Sequence, residues 1–343
     1  MRWAGVSRGA GGGAVVEVGE GARHVDHSAL GGGALGGEHH LECVEGVLGP
    51  GLRVTALAAG GSSRLPGWFV ILWRNGKCRA GMLMLAAFIV VAVFAAVIAP
   101  YGPRADDFAS SQGPSGAHWL GTTARGEDVL SQLVYGARTS LVVGLVAGVL
   151  STLIAMTVGL TAGYLRGVVD EVLSFFINLG LVVPVLPLMI VLAGYAPVKG
   201  LGLIIIVITI TGWAFGARIK RAQIITLRTR DYITAAKFAG DSTARIIAFE
   251  IVPNMMSLIV VGFMGAALGA IGAESGLAFL GLGDPQTVSW GTMLNQASLG
   301  GALTTGQWAW LVAPGLVLAL LITSFTLMNF GIDALSNPHL RED

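Results

Sequence analysis

Charge is the scarcest property of this 343-residue chain: Asp, Glu, Lys and Arg make up 12% of it, hydrophobic residues 54%, and mean hydropathy is +0.73. A soluble domain of this size would aggregate with so little polar surface, which points to the bilayer as solvent. The net charge of +1 leaves no excess of either sign, so the totals carry no nucleic-acid footprint and no acidic tail. Only two cysteines occur, Cys43 and Cys78, far apart in segments of different character, which excludes a disulfide framework and a zinc knuckle. A phosphate loop of the form GxxxxGK[ST] is also missing, because the one Gly-Lys pair, Gly76 and Lys77, is followed by Cys78. The chain therefore lacks the usual means of handling ATP itself.

What it has instead is six apolar runs: Ala80 to Ala99, Thr139 to Leu165, Val172 to Ala196, Leu201 to Ala217, Pro253 to Ala273 and Trp308 to Phe330. A hydrocarbon core about 30 Å thick needs roughly 20 residues of helix, and the runs approach or exceed that length. None contains Asp, Glu, Lys, Arg or His. The pattern predicts an all-α integral membrane protein with six transmembrane helices. Small residues four apart, Gly144 with Gly148, Gly159 with Gly163 and Gly265 with Gly269, are expected to form close packing faces. Pro184 and Pro187 are each expected to remove a helix hydrogen bond and kink the third span. Its most polar spot, Ser174 with Asn178 one turn on, reads as helix-to-helix glue.

Lys and Arg set the orientation. The stretch from Arg218 to Arg245 holds seven of them, Glu274 to Gln307 holds none, and Arg74, Lys77 and Arg79 precede the first run. Cytoplasmic flanks collect such residues, so both termini and the loop between the fourth and fifth spans are expected inside. The outer stretch Pro100 to Arg138 is mixed, with Arg104, Arg125 and Arg138 against Asp106, Asp107, Glu127 and Asp128.

The chain divides into three parts. Residues 1–65 hold 17 of the 51 glycines and four of the six histidines, and read as a disordered extension or as translation begun upstream of the true start. His24, His27, His39, His40 and Cys43 match no standard metal-ligand spacing. Residues 66–79 place Trp68, Phe69 and Trp73 among Arg74 and Lys77, as in a short interfacial helix. Residues 80–343 form the membrane domain.

The 24 residues from Asp231 to Asn254 are the polar exception within that domain. Asp231 is placed to cap a helix in which Tyr232, Ala235, Ala236 and Ala239 share a small, smooth face at i, i+3, i+4 and i+7. Gly240 permits a left-handed turn, Asp241 or Ser242 can cap a second helix, and Pro253 falls in the first turn of the fifth span. The result is a helix, a glycine turn and a helix projecting from the bilayer.

On these residues a resemblance becomes specific. Thr234, Ala235 and Ala236, then Gly240, then Ile251, Val252, Pro253 and Asn254 resemble the EAA loop of permease subunits of binding-protein-dependent ABC importers. Thr234 stands where that family has Glu, and Glu250 where its peptide-type members commonly have His. Leu120 to Leu141 resembles the region after the first span of the C-type dipeptide, oligopeptide and nickel permeases, with Thr123 and Glu127 replacing Asp and Arg. Glu274 to Leu294 resembles their outer loop between spans five and six, and the ending from Ile332 is similar too.

The resemblance implies a transport subunit without chemistry of its own, in a bacterial plasma membrane. It implies that the 231–254 loop couples to a separate ATPase, which would use ATP and Mg, while this chain binds no cofactor. It further implies a second homologous permease subunit, two cytoplasmic ATPase subunits and an external substrate-binding protein or lipoprotein. Peptides are the expected solute, with nickel or another small solute as the alternative. Gly126, Asp128, Glu274 and Trp290 are the candidates for an outer gate or for contact with the binding protein. An ion-coupled transporter would carry ionisable groups at membrane depth, which the six runs lack. A membrane enzyme would need converging groups, and His118, Glu274, Asp284 and Asp333 are scattered over loops and span ends.

Overall fold

A computed structural model describes residues 4–8, 14–18, 73–284 and 286–336. The chain forms two units, Met1–Arg64 and Leu65–Asp343. In the first, β1 (Ala4–Arg8) pairs antiparallel with β2 (Ala14–Val18), Ala4 opposite Val18 and Arg8 opposite Ala14. β-branched Val6, Val15, Val16 and Val18 favour extended backbone in these ten residues. The histidine cluster, Cys43 and residues 66–72 of the expected interfacial helix lie outside the described residues.

The second unit is helical. Its elements are α1 (Gly76–Val93), α2 (Ala95–Ile98), α3 (Val129–Leu165), α4 (Val168–Val182), α5 (Val185–Tyr195) and α6 (Leu201–Leu227). Then follow α7 (Asp231–Phe238), α8 (Thr243–Arg245), a π-helical turn (Ile246–Ile251), α9 (Val252–Asn254), α10 (Met256–Phe279), α11 (Trp290–Leu299) and α12 (Trp308–Ser336). Among the described residues five helices, α1, α3, α6, α10 and α12, are long and apolar enough to cross a bilayer, and α4 with α5 makes a sixth if the bent pair is one span.

That pair differs from the kinked helix expected from the prolines. It is bent by 87°. Val183, which precedes Pro184, is extended (φ −69°, ψ 127°), because the proline ring disfavours helical backbone in the residue before it. Pro184 then becomes the N-cap of α5 and Pro187 falls in its first turn, where a missing N–H costs nothing. The chain breaks once, so neither proline interrupts a helix interior. Ser174 bonds Asp170 within α4, while Asn178 is exposed, so only the first of the two polar residues acts as an internal tie.

The fourth span is also longer than its apolar run. α6 continues ten residues past Ala217 to Leu227, about 40 Å in all at 1.5 Å per residue, and so carries Arg218, Lys220 and Arg221 on a membrane helix. The loop after α10 contains α11, opened by a capping box between Ser289 and Thr292.

α3 is the centre, in contact with α1, α2, α4, α6, α10, α11 and α12. Its glycines decide how near its neighbours come. A Cβ on Gly159 would lie 2.6 Å from the Ala217 carbonyl oxygen, and one on Gly163 would meet Ile224 and lie 2.9 Å from the Arg221 carbonyl oxygen, both on α6. On the α10 side, one on Gly148 would lie 2.9 Å from the Ala267 Cα. Gly265 and Gly269 behave otherwise: no atom lies within 4 Å of a Cβ built on either. Their side of α10 faces open space, so the expected packing face is absent there.

Gly159→Ala and Gly163→Ala should therefore each destabilise the detergent-solubilised chain by about 1–3 kcal/mol, since backbone must move to admit the methyl group. Gly265→Ala and Gly269→Ala should leave the melting temperature unchanged or raise it; equal losses at all four positions would contradict this packing.

Candidate functional site: a docking segment anchored to the span ends

The segment after α6 is a folded unit with one buried side. Arg230 is extended (φ −72°, ψ 149°), and its carbonyl accepts from the N–H groups of Ile233 and Thr234. Arg230 thus occupies the N-cap, without a side-chain cap bond, and Asp231 is the first helical residue. The expected Asp231 cap is corrected by one position; its carboxylate instead lies in the first turn, where the helix dipole favours negative charge.

α7 ends as a Schellman motif. Asp241 N–H donates to the Ala236 carbonyl (3.1 Å) and Gly240 N–H to that of Lys237 (3.1 Å), with Gly240 at φ +86°. Ser242, and not Asp241, caps α8 through the Arg245 N–H, while Asp241 forms an ion pair with Arg245 (3.1 Å). The π-helical turn was not foreseen. In it, the Val252 N–H reaches back five residues to the Ile247 carbonyl. It stands immediately before α9, where Pro253 has no N–H to give and its ring would crowd a regular helical turn.

Ile233 anchors the unit. It is 0% exposed and packs with Ile246, Ile251 and Met255 from the same segment and with Leu160 of α3 and Ile224 of α6. Ala236 is half-buried against this cluster, whereas Tyr232, Ala235 and Ala239 look outward and Phe238 is 88% exposed. The face expected from periodicity is therefore present in three of its four members, and Ala236 marks its inner border. Thr234 is exposed, its hydroxyl turned back to the Arg230 carbonyl.

Polar contacts tie the same end together. Arg221 of α6 makes a two-pronged bond to Asp170 of α4, Nε to Oδ1 (2.6 Å) and Nη2 to Oδ2 (2.9 Å), and Ser174 Oγ donates to Oδ1 (3.0 Å). Arg228 donates to the carbonyl of Gly163 at the end of α3. Lys237 Nζ lies 5.3 Å from the ring centre of Tyr164. The ends of α3 and α6 thus hold one small helix, and Arg221 ties α4 to α6. Composition and periodicity did not point to Ile233, Asp170 or Arg221; the opposite charges of the last pair were the available signal, but they are 51 residues apart.

The four outer candidates lie along the other half of α3, and all are buried. Asp128 caps α3 by accepting from Ser131 N–H (2.7 Å) and lies 2.9 Å from His118 Nδ1. Gly126 takes a left-handed turn (φ +82°) where a Cβ would strike the Phe108 carbonyl. Trp290 Nε1 donates to the Leu133 carbonyl (2.9 Å) and its ring meets Phe88 edge to face. Glu274 accepts from Ser140 and Ser275 hydroxyls (3.3 Å each). Each is thus tied into the loops and helices around it. Glu127, which stands where the resembling permeases have Arg, bonds Gln132 (2.9 Å) and Thr123 (3.3 Å) beside them.

Among the described residues no group of His, Cys, Asp and Glu could hold a metal. A multi-helix membrane protein with an exposed, preorganised short helix between two of its spans is the class these features define. Residues 155–342 match the family described as the inner membrane component of binding-protein-dependent transport systems. A dipeptide transport system permease protein of Escherichia coli (strain K12) is 37% identical over 281 residues, 78% of this chain and 91% of the relative. The corresponding protein of Bacillus subtilis (strain 168) is 34% identical over 272 residues, 79% and 84% of the two chains. An oligopeptide transport system permease protein of the same strain is 32% identical over 297 residues, 84% and 96%.

The chain belongs to this family. It is a permease subunit of an ABC importer, a multi-pass protein of the bacterial plasma membrane. ATP hydrolysis takes place in a separate ATPase subunit, and the chain works with ATPase and substrate-binding partners.

Replacing Ile233 by Ala should remove about 2–5 kcal/mol of packing from the segment. Hydrogen exchange should accelerate across 231–251 while the interiors of α3 and α10 keep their protection; unchanged exchange in the segment would show that Ile233 is not its anchor.

Proposed function

We propose that the chain forms half of a peptide pathway and is driven through α7. The seven basic residues between Arg218 and Arg245, against none from Glu274 to Gln307, support placing both termini and the 231–254 segment in the cytoplasm. The names of its relatives support peptides as the solute.

The observation that carries the reading is the outward face of Tyr232, Ala235 and Ala239 on a helix whose opposite side is locked to the span ends by Ile233. Small side chains let an ATPase cleft close on the helix backbone, Asp231 marks its start and Gly240 its end. The half-buried Ala236 and Pro253 beyond it connect that helix to the membrane. Two ATPase subunits, binding ATP and Mg, would grip this helix and its counterpart on a second, homologous permease subunit. Movement of the two helices would then pass to the spans as rigid-body motion, because the segment is anchored to α3 and α6, and Arg221 ties α6 to α4. An external binding protein or lipoprotein would deliver the solute, and this chain itself would bind no cofactor and no nucleic acid.

Ala235→Glu and Ala239→Trp place charge or bulk on the outward face without touching the Ile233 cluster. Each should reduce the ATPase recovered with a tagged chain at least about tenfold, with its melting temperature unchanged. Undiminished recovery in both variants would refute docking through this face.

A further inference from the structure

The open side of α10 borders a cavity of about 570 Å³ between α3, α5, α6, α10 and α12. The volume falls within the roughly 300–1,000 Å³ of small-ligand sites. Most of its wall is apolar or glycine, including Met189, Phe215, Gly262 and Gly269. One cation breaks that pattern. Lys220 of α6 lines the cavity and is 2% exposed. Its Nζ lies 3.0 and 3.5 Å from the points that a Cβ on Gly262 and Gly216 would occupy, so two glycines on facing helices leave the space it fills.

None of the described residues gives Lys220 a hydrogen bond or an ion pair. The nearby acids are engaged elsewhere. Asp170 is held by Arg221, and Glu274 sits with Ser140 and Ser275, 12 residues or about 18 Å along α10 from Gly262. An ammonium buried in a membrane protein without a counter-charge is costly and marks a site where an anion is received. Two further residues of the same wall are also unpaired: Asn329 Oδ1 and Thr152 Oγ1 are buried without a hydrogen-bond partner.

We propose that this cavity is a carboxylate station on the solute's route, in which Lys220 receives the carboxylate of a passing peptide. The unpaired oxygens of Asn329 and Thr152 suit peptide N–H donors, and the apolar wall suits neutral side chains. A phosphate would ask for several converging donors, and only one cation is present. Lysine fits a transit site better than arginine, because a point charge on a flexible stem follows a moving ligand and imposes no two-pronged geometry. Binding along a pathway must be weak enough to release. The proposal rests on the reading of the chain as half of a peptide pathway, and assigns a substrate feature to one residue of it.

The test is uptake of radiolabelled trialanine and of trialanine amide by the complete transporter, with its own ATPase and binding protein. Lys220→Met should lower the trialanine rate at least about tenfold and change the amide rate less than about twofold, while Lys220→Arg keeps most of the trialanine rate. Equal losses on both peptides, or no loss on trialanine, overturn the station. Loss on both with reduced recovery of the second permease subunit overturns it as well, since Lys220 would then pair with an acid of that subunit. If the wild type refuses the amide, two results support the station: admission of the amide by Lys220→Met, or loss of trialanine uptake that Lys220→Arg restores at unchanged subunit recovery. An unchanged trialanine rate in Lys220→Met still overturns it. A wild-type transporter that moves neither peptide overturns the peptide reading itself.

Discussion

Gly159 and Gly163 bring the backbone of α3 against α6 so closely that a single methyl group would strike a carbonyl oxygen, and one on Gly148 would strike the Ala267 Cα of α10. In lipid the hydrophobic effect does little to press helices together, so contact area gained by close approach must hold them. The rest of the molecule follows from that contact. Because α3 and α6 end side by side, Gly163 and Tyr164 of the one and Ile224 and Arg228 of the other are positioned to receive the segment that follows α6. The exposed helix α7 is thus held by the packing that builds the bundle.

Two kinds of helix surface result. Where α3 meets α6 and α10, glycine removes bulk so that backbones touch. At Gly265 and Gly269 glycine removes bulk and nothing fills the space, which leaves a wall for the cavity that Lys220 enters beside Gly262. The same residue type spaced in the same way serves opposite ends, and only the neighbour distinguishes them. A permease needs both, since rigid transmission requires tight seams and passage requires an unfilled side.

Much of the membrane domain was legible in the sequence because its causes are local. The apolar runs, their lack of charge and the resemblance of the Asp231 to Asn254 stretch identify an importer permease without coordinates. Tyr232, Ala235 and Ala239 were placed on one face by helical period alone, and Gly240 by its need for positive φ. The misreadings have physical causes too. Asp231 was displaced from the cap because Arg230 is extended. Two prolines produced one break because Pro184 acts on the residue before it. α6 outran its apolar run because Arg221 found Asp170 and Lys220 found a cavity, so polar residues no longer marked the end of the helix. The four outer candidates drew attention through the resemblance, but their partners are backbone carbonyls, serines and His118 of the same chain.

The sequence by itself determined that this protein lives in a bilayer, where its apolar runs lie, which loop is basic and which helix face is smooth, since composition and period are properties of neighbouring residues. Tertiary structure decided which glycines touch, that Ile233 is the anchor, that Asp170 and Arg221 meet across 51 residues, and that Lys220 is buried without a partner among the described residues. Those outcomes depend on which helices become neighbours. That choice is made by packing over the whole bundle, and no local pattern records it.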